Sequence, residues 1–449
     1  MSINTDKNKI QVALLRGCFV LLVVMALFFF CLRIGQINNE CLYGGWTVSE
    51  WLINYEGGFV RRGLCGEILY GLYQVHPYPV RDMILILGFT GFFFFMVLLI
   101  GLFRREGWSP VLLIAPCLIQ IPTFLGGTSL FGLRKDHWLL LLAYGIFYFY
   151  TRYIRRRDIL SLVTMQFLSV VVLLIHEAAF FFIFPLLIVH SFLITYKKRP
   201  CGELVGAMFL LFLPAALTMG AVCLFKGNQA VAEAIWTSWK PCMEAYPLPC
   251  DDVAEIGPGV SALTWGTRQT FKNHITITWM SWFLKLGPAP DIGISWMSWF
   301  LKPIPSWPFA LINIAGIYYL VSRLNTVNLR WNRLKKVDSS RMGLFLLLQG
   351  IFMIPLFTVL SCDLGRIIPY WVFSSLFAYH FLKEDASVFP AGLNRASEWL
   401  QDKISKIKCL SVPWVYFLIL VFLPVSLVGV RWEGCFLSLA WSLVRNYIQ

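Results

Sequence analysis

Four short stretches hold the residue types and spacings that could do chemistry: Glu56-Gly57-Gly58-Phe59-Val60-Arg61-Arg62-Gly63, Arg134-Lys135-Asp136-His137, His176-Glu177 and Asp363-Leu364-Gly365-Arg366. Arg61 and Arg62 offer paired planar forks that fit phosphate or pyrophosphate oxygens, and two preceding glycines let the backbone approach a ligand closely. Glu56 stands beside them as a candidate general base for a hydroxyl proton. Taken alone, the segment reads equally as a tight turn whose arginines snorkel to headgroups. Arg134 and Lys135 end a Gly-rich loop and open a helix, where two cations oppose the helix dipole and call for an anionic ligand or a carboxylate neighbour. Asp136 also reads as a residue favouring that helix start. His176-Glu177 lies between two apolar runs, so it needs a partner or a function. Without a second histidine at helical spacing it is not a zinc-protease motif. Asp363 and Arg366 are one turn apart and close enough to pair with each other in a helix.

The elements that must position these residues are membrane helices. The chain has 449 residues, 58% of them hydrophobic and 14% charged, with a mean hydropathy of +0.68, which exceeds what a soluble core needs. A formal charge of +14 then fits cytoplasmic loops and phosphate binding rather than nucleic acid. Apolar runs predict an all-α polytopic bundle of about eleven transmembrane helices, near 17–34, 83–103, 109–125, 138–151, 159–175, 178–195, 203–225, 304–321, 342–361, 367–382 and 412–430. The first run has basic residues before it and no small-residue cleavage site after it, so it reads as a retained span. The run from Ile159 to Thr195 would extend about 55 Å against an apolar bilayer core of ~30 Å, so it must turn back, at His176-Glu177.

A cytoplasmic N-terminus and strict alternation put Arg104/Arg105, Arg152 with Arg155 to Arg157, Lys197 to Arg199, 323–341 and 383–411 inside. The four charged motifs then share the extracytoplasmic face and can form one polar pocket there. The organisation is an N-terminal bundle, 1–225, with a first outer loop at 35–81, then a Trp-rich outer loop at 226–303, then a C-terminal bundle, 304–449. The Trp-rich loop repeats Trp-Met-Ser-Trp-Phe-Leu-Lys at 279–285 and 296–302, which puts Trp279/Trp282 and Trp296/Trp299 on helix faces. In-plane amphipathic helices or a sugar-stacking platform would both use them. Cys242 and Cys250 share this loop and could pair. Leu393, Ala396, Leu400, Ile404 and Ile407, with Lys403, Lys406 and Lys408, read as a basic in-plane helix on the inner leaflet. No nucleotide-binding fingerprint occurs.

The four motifs, in this order, resemble those of bacterial polytopic membrane proteins of surface-polysaccharide (O-antigen and capsule) gene clusters. More broadly, the layout is similar to O-antigen polymerases and C-type membrane glycosyltransferases. The resemblance implies sugar transfer from a polyprenyl-(pyro)phosphate carrier to a glycan or lipid-linked acceptor, at the periplasmic face of the bacterial inner membrane. It implies membrane lipids and polysaccharide-assembly proteins as partners, and no nucleic acid. Asn38-Asn39-Glu40 stands where that family often has an Asp-based motif, which leaves Glu40 and Glu56 competing as base. His176, Glu177 and Asp363 would orient the cations or bind sugar hydroxyls. Arg61, Arg62, Arg134, Lys135 and Arg366 would neutralise the leaving phosphate, with Asp136 and His137 in the same binding set. No cofactor or metal ligand set is expected, although a divalent metal is compatible with the chemistry. A transporter or flippase of a lipid-linked or anionic solute is the alternative, and acyl transfer with His176 as base is a further one.

Overall fold

The computed structural model describes residues 42–106, 134–196, 201–272 (apart from 250, 252, 267, 270 and 271), 338–360 and 364–405. Those residues are mostly helical and include no strand. The expected spans near 17–34, 109–125, 304–321 and 412–430, the two Trp heptapeptides, Cys250, Glu40 and Asp363 lie outside them.

The expected spans within the described residues fall on helices α3 Val80–Glu106, α4 Asp136–Arg156, α5 Ile159–Ile175, α6 Ala179–Tyr196, α7 Cys201–Leu224, α10 Ser339–Phe352 and α11 Leu364–Leu382. Two short helices, α1 Trp46–Trp51 and α2 Leu64–Val75, precede them, α8 Gln229–Ala245 and the single turn α9 Pro258–Ser261 follow α7, and α12 Ala391–Ser405 comes last. A π-helical turn, Leu356–Leu360, continues α10 toward α11.

Three segments among the described residues are long and apolar enough to cross a membrane: Val80–Glu106, Ala179–Tyr196 and Val205–Leu224. Helix α5 and the apolar part of α10 are shorter. Helix α4 is long but too polar for that class, because it carries Asp136, His137 and three arginines, and its buried face packs at the centre of the bundle.

Local chemistry sets the helix ends. The Asp158 carboxylate caps α5 by accepting from the Leu160 amide at 3.2 Å and the Ser161 hydroxyl at 2.7 Å. Helix α4 stops one residue earlier at Arg157, whose φ of 56° is the left-handed closure more usual for glycine. Asn228 caps α8 through the Val231 amide at 3.0 Å. Between α5 and α6 the chain reverses at His176-Glu177.

The described residues form two apolar cores. One lies within the bundle, where Phe147, Phe182, Phe345, Phe373 and Phe377 are buried. The other lies in a cap in which α1, α2 and the start of α3 close on α8 and α9 around Trp51, Trp236, Trp239 and Val260. The buried indoles Trp236 and Trp239 donate to the Val253 and Leu52 carbonyls at 3.0 and 2.7 Å. The start of the 226–303 loop is therefore folded onto the first loop rather than standing apart. Cys242 is a free thiol in this core, with Sγ 3.7 Å from the Tyr78 carbonyl oxygen.

Candidate functional site

At the end of the bundle facing the cap, the loop between α1 and α2, the start of α4, the α5–α6 turn and the first turn of α11 converge on a cavity of about 480 Å³. Arg61, Arg62, Arg134, His176, Glu177, Lys226, Arg366 and Tyr370 form its polar lining. Phe181, Met219, Val222, Leu356, Leu360 and Ile367 form an apolar wall on bundle helices. Trp46, Ala262 and Trp265 line it from the cap.

Arg366 holds the bundle side together. Its fork donates to Asp136, from Nε at 3.1 Å to both oxygens and from Nη2 at 2.8 Å, and Nη2 also reaches Glu50 Oε1 at 3.3 Å. The Tyr370 hydroxyl, one turn further along α11, donates to the same Asp136 oxygen. Asp136 is fully buried and Glu50 is 2% exposed. Arg134 Nε stands 3.8 Å from Glu50 Oε2. Burial alone would raise the Glu50 carboxyl, but Arg366, then Arg134, hold it well below the usual carboxylate range.

A second cluster faces the first. Arg62 grips Glu177 with Nε at 2.9 and 3.1 Å and Nη2 at 2.5 Å, while Arg61 Nη1 lies 3.4 Å from the same carboxylate. Against the opposing effect of burial, Arg62 keeps Glu177 ionised far below the ordinary range. Arg62 has φ of 65°, a left-handed backbone that a side chain rarely adopts, and Lys135 Nζ binds its carbonyl at 3.2 Å. Lys135 is itself buried, over the Trp51 ring, and burial lowers its pKa. His176 Nδ1 accepts from the Ala178 amide at 3.2 Å, so its Nε2–H points toward Glu50 Oε1, 3.7 Å away. Burial, then Arg62, pushes this imidazole down to about 3, so it is neutral.

Among the described residues, five cations, Arg61, Arg62, Arg134, Lys226 and Arg366, line the cavity with one carboxylate, Glu177, while Lys135, Glu50 and Asp136 are buried behind them. Helices α4, α6 and α11 all begin at this end and add the positive poles of their dipoles. A lining of this kind suits an anionic ligand.

The cluster thus holds Arg61, Arg62, Arg134, Lys135, Asp136, His176, Glu177 and Arg366. His137 is fully buried and outside the cavity lining, with its ring 5.4 and 5.5 Å from those of Phe92 and Phe95. Glu56 is exposed and absent from the lining. The approach to Gly57 is made by α8 instead of a ligand, since a Cβ there would meet the Val231 carbonyl oxygen at 2.8 Å, and Gly58, at φ of 99°, turns the chain. Among the described residues, Arg366 pairs with Asp136 and Glu50.

Sequence reasoning missed Glu50 as a site residue. It was one loop acid among several, and its partner Arg366 is 316 positions away. Tyr370 carried a usable signal, since it follows Arg366 by four residues on one helix face. No group of His, Cys, Asp and Glu suited to a metal occurs among the described residues. No family model, no curated protein and no solved structure matches this chain.

Proposed function

We propose that the chain is a membrane glycosyltransferase or polysaccharide polymerase that takes sugar units from a polyprenyl-(pyro)phosphate carrier at the extracytoplasmic face of a bacterial inner membrane. The observation that carries this reading is one cavity lined by five cationic side chains on one side and by an apolar wall of bundle helices on the other. An anion attached to a hydrocarbon chain satisfies both at once, whereas a free anion would leave Phe181, Leu356 and Leu360 without purpose.

The acceptor hydroxyl oxygen attacks the anomeric carbon, and the carbon–oxygen bond to phosphate breaks with its electron pair going to the phosphate. Arg366, Arg134 and Arg62 stabilise that charge, the effect that dominates such steps. Glu177 is the carboxylate lining the cavity and takes the hydroxyl proton. A phosphate that draws Arg61 and Arg62 away from Glu177 raises its basicity on arrival, so donor binding arms the base. Glu56, on the exposed surface, is outside this chemistry. A transporter would set its ionisable groups near the midplane, whereas those lining this cavity lie at one end of the described helices.

The test is transfer by the purified chain in nanodiscs, supplied with a labelled polyprenyl-phosphate-linked sugar and membrane glycan acceptors. Wild type should release lipid phosphate and label the acceptor, and Arg366→Gln should do neither. Undiminished transfer by Arg366→Gln would refute the reading.

A further inference from the structure

A cation cluster and an apolar wall account for a lipid phosphate but leave the sugar without a place, and two features of the cap bear on it. Trp46 opens α1 and Trp265 follows α9 by a short 3-10 turn, more than two hundred residues apart in the chain, yet their ring centroids are 5.8 Å apart at 52°. Both rings line the cavity, on its cap side. Both are half-buried, unlike the two core indoles of α8, which are sealed and satisfied by carbonyls. The guanidinium of Arg134 lies 5.8 Å from the Trp46 ring centroid, so the indole wedge begins where the phosphate-binding charge ends.

Indole presents a broad, stiff apolar face with a polar edge, and it becomes ordered at small entropic cost. The axial C–H face of a pyranose is an apolar surface of matching size, and its rim of hydroxyls needs donors and acceptors nearby. Arg61 and the Ala262 carbonyl stand at the same rim, 3.2 Å from each other. We propose that Trp46 and Trp265 form a saccharide subsite, which holds the hexose of a phosphate-linked glycolipid above the cation cluster. This rests on the lipid-phosphate reading above and adds a direction to it: tail against Phe181 and Leu360, phosphate among the arginines, sugar against the indole pair.

The experiment uses the full chain in nanodiscs and compares the binding of farnesyl phosphate, supplied as its methyl diester so that every ligand carries one charge, with that of farnesyl phosphates carrying glucose, galactose, N-acetylglucosamine or N-acetylgalactosamine. Wild type should bind at least one sugar-bearing form about tenfold more tightly than farnesyl phosphate. Trp265→Leu should remove most of that advantage, about three- to tenfold, and leave farnesyl phosphate binding unchanged. Trp265→Phe, which keeps an aromatic face, should retain part of it and guards against a folding defect. The subsite is refuted if no sugar-bearing form binds more tightly than farnesyl phosphate, or if the Trp variants weaken both kinds of ligand alike, as membrane anchors or structural residues would. If farnesyl phosphate binds no better than farnesol or inorganic phosphate, the lipid-phosphate reading itself fails and takes the subsite with it.

Discussion

Replacing Glu50 by glutamine separates the two roles assigned to the cation cluster. The carboxylate is 2% exposed and lies 3.3 Å from Arg366 Nη2 and 3.8 Å from Arg134 Nε. At an effective dielectric near 20, each contact is worth about 4–5 kcal/mol of Coulomb attraction. Part of that is regained because an amide is easier to bury, and Arg366 keeps Asp136. A net destabilisation of about 3 kcal/mol is expected, in line with breaking a buried ion pair from one side. The same substitution removes one negative charge from beside the cavity's arginines, so inorganic pyrophosphate should bind more tightly, by about tenfold at low salt. Intrinsic-fluorescence melting in detergent, with and without a pyrophosphate titration, reads both effects. The expected result is an apparent Tm lower by roughly 5–10 °C with a larger pyrophosphate-induced rise. A variant with wild-type Tm, or one whose response to pyrophosphate is weakened, would show that Glu50 does not balance these cations.

Other outcomes follow from the same geometry. Glu177→Gln frees Arg61 and Arg62, so lipid-phosphate affinity should rise while transfer falls by about a hundredfold or more, a split readable by binding and single-turnover assays on one preparation. His176 has a folded pKa of about 3 against an ordinary 6.5, so the unfolded chain takes up a proton between those values that the folded chain refuses. Stability should therefore fall by about 1.4 kcal/mol per unit as pH drops from 6.5 toward 3. His176→Gln should flatten the part of a Tm profile between pH 6.5 and 5, above the range where Glu50 and Glu177 titrate. Gly259→Ala would set a Cβ 2.4 Å from the Glu50 amide nitrogen, a backbone contact that cannot yield, and should cost about 2–3 kcal/mol by thermal melting. Cys223 is exposed and lines the cavity, so its alkylation by a maleimide, followed by peptide mass spectrometry, should slow when farnesyl phosphate is added.

Much of the architecture was readable because apolar run length and bilayer thickness leave few choices. The reversal at His176-Glu177 followed from a run too long for one crossing, and α5 ends at Ile175 while α6 begins at Ala179. Gathering Arg61, Arg62, Arg134, Glu177 and Arg366 at one end likewise needed only the alternation of helices. What the sequence could not reveal was which acid faces which cation. Glu56 adjoins the arginines in sequence, but the turn at Gly58 leaves it on the surface, whereas Glu50 is carried inward on α1 beneath α9. Nor did composition show that α8 would bury Trp236 and Trp239 against the first loop, because an amphipathic helix rich in indoles fits a membrane surface equally well.

The central claim is that the cation cavity handles a lipid-linked sugar, and the surface glycan of the source strain tests it most directly. The gene would be deleted and complemented at matched membrane levels with wild type, Glu56→Gln, Glu177→Gln or Arg366→Gln. Wild type and the surface variant Glu56→Gln should restore the glycan, and the two cavity variants should not. Loss of the ladder with single repeats retained identifies a polymerase, and loss of one sugar identifies a single-unit transferase. An unchanged glycan after deletion, or full restoration by Arg366→Gln and Glu177→Gln, would contradict the claim.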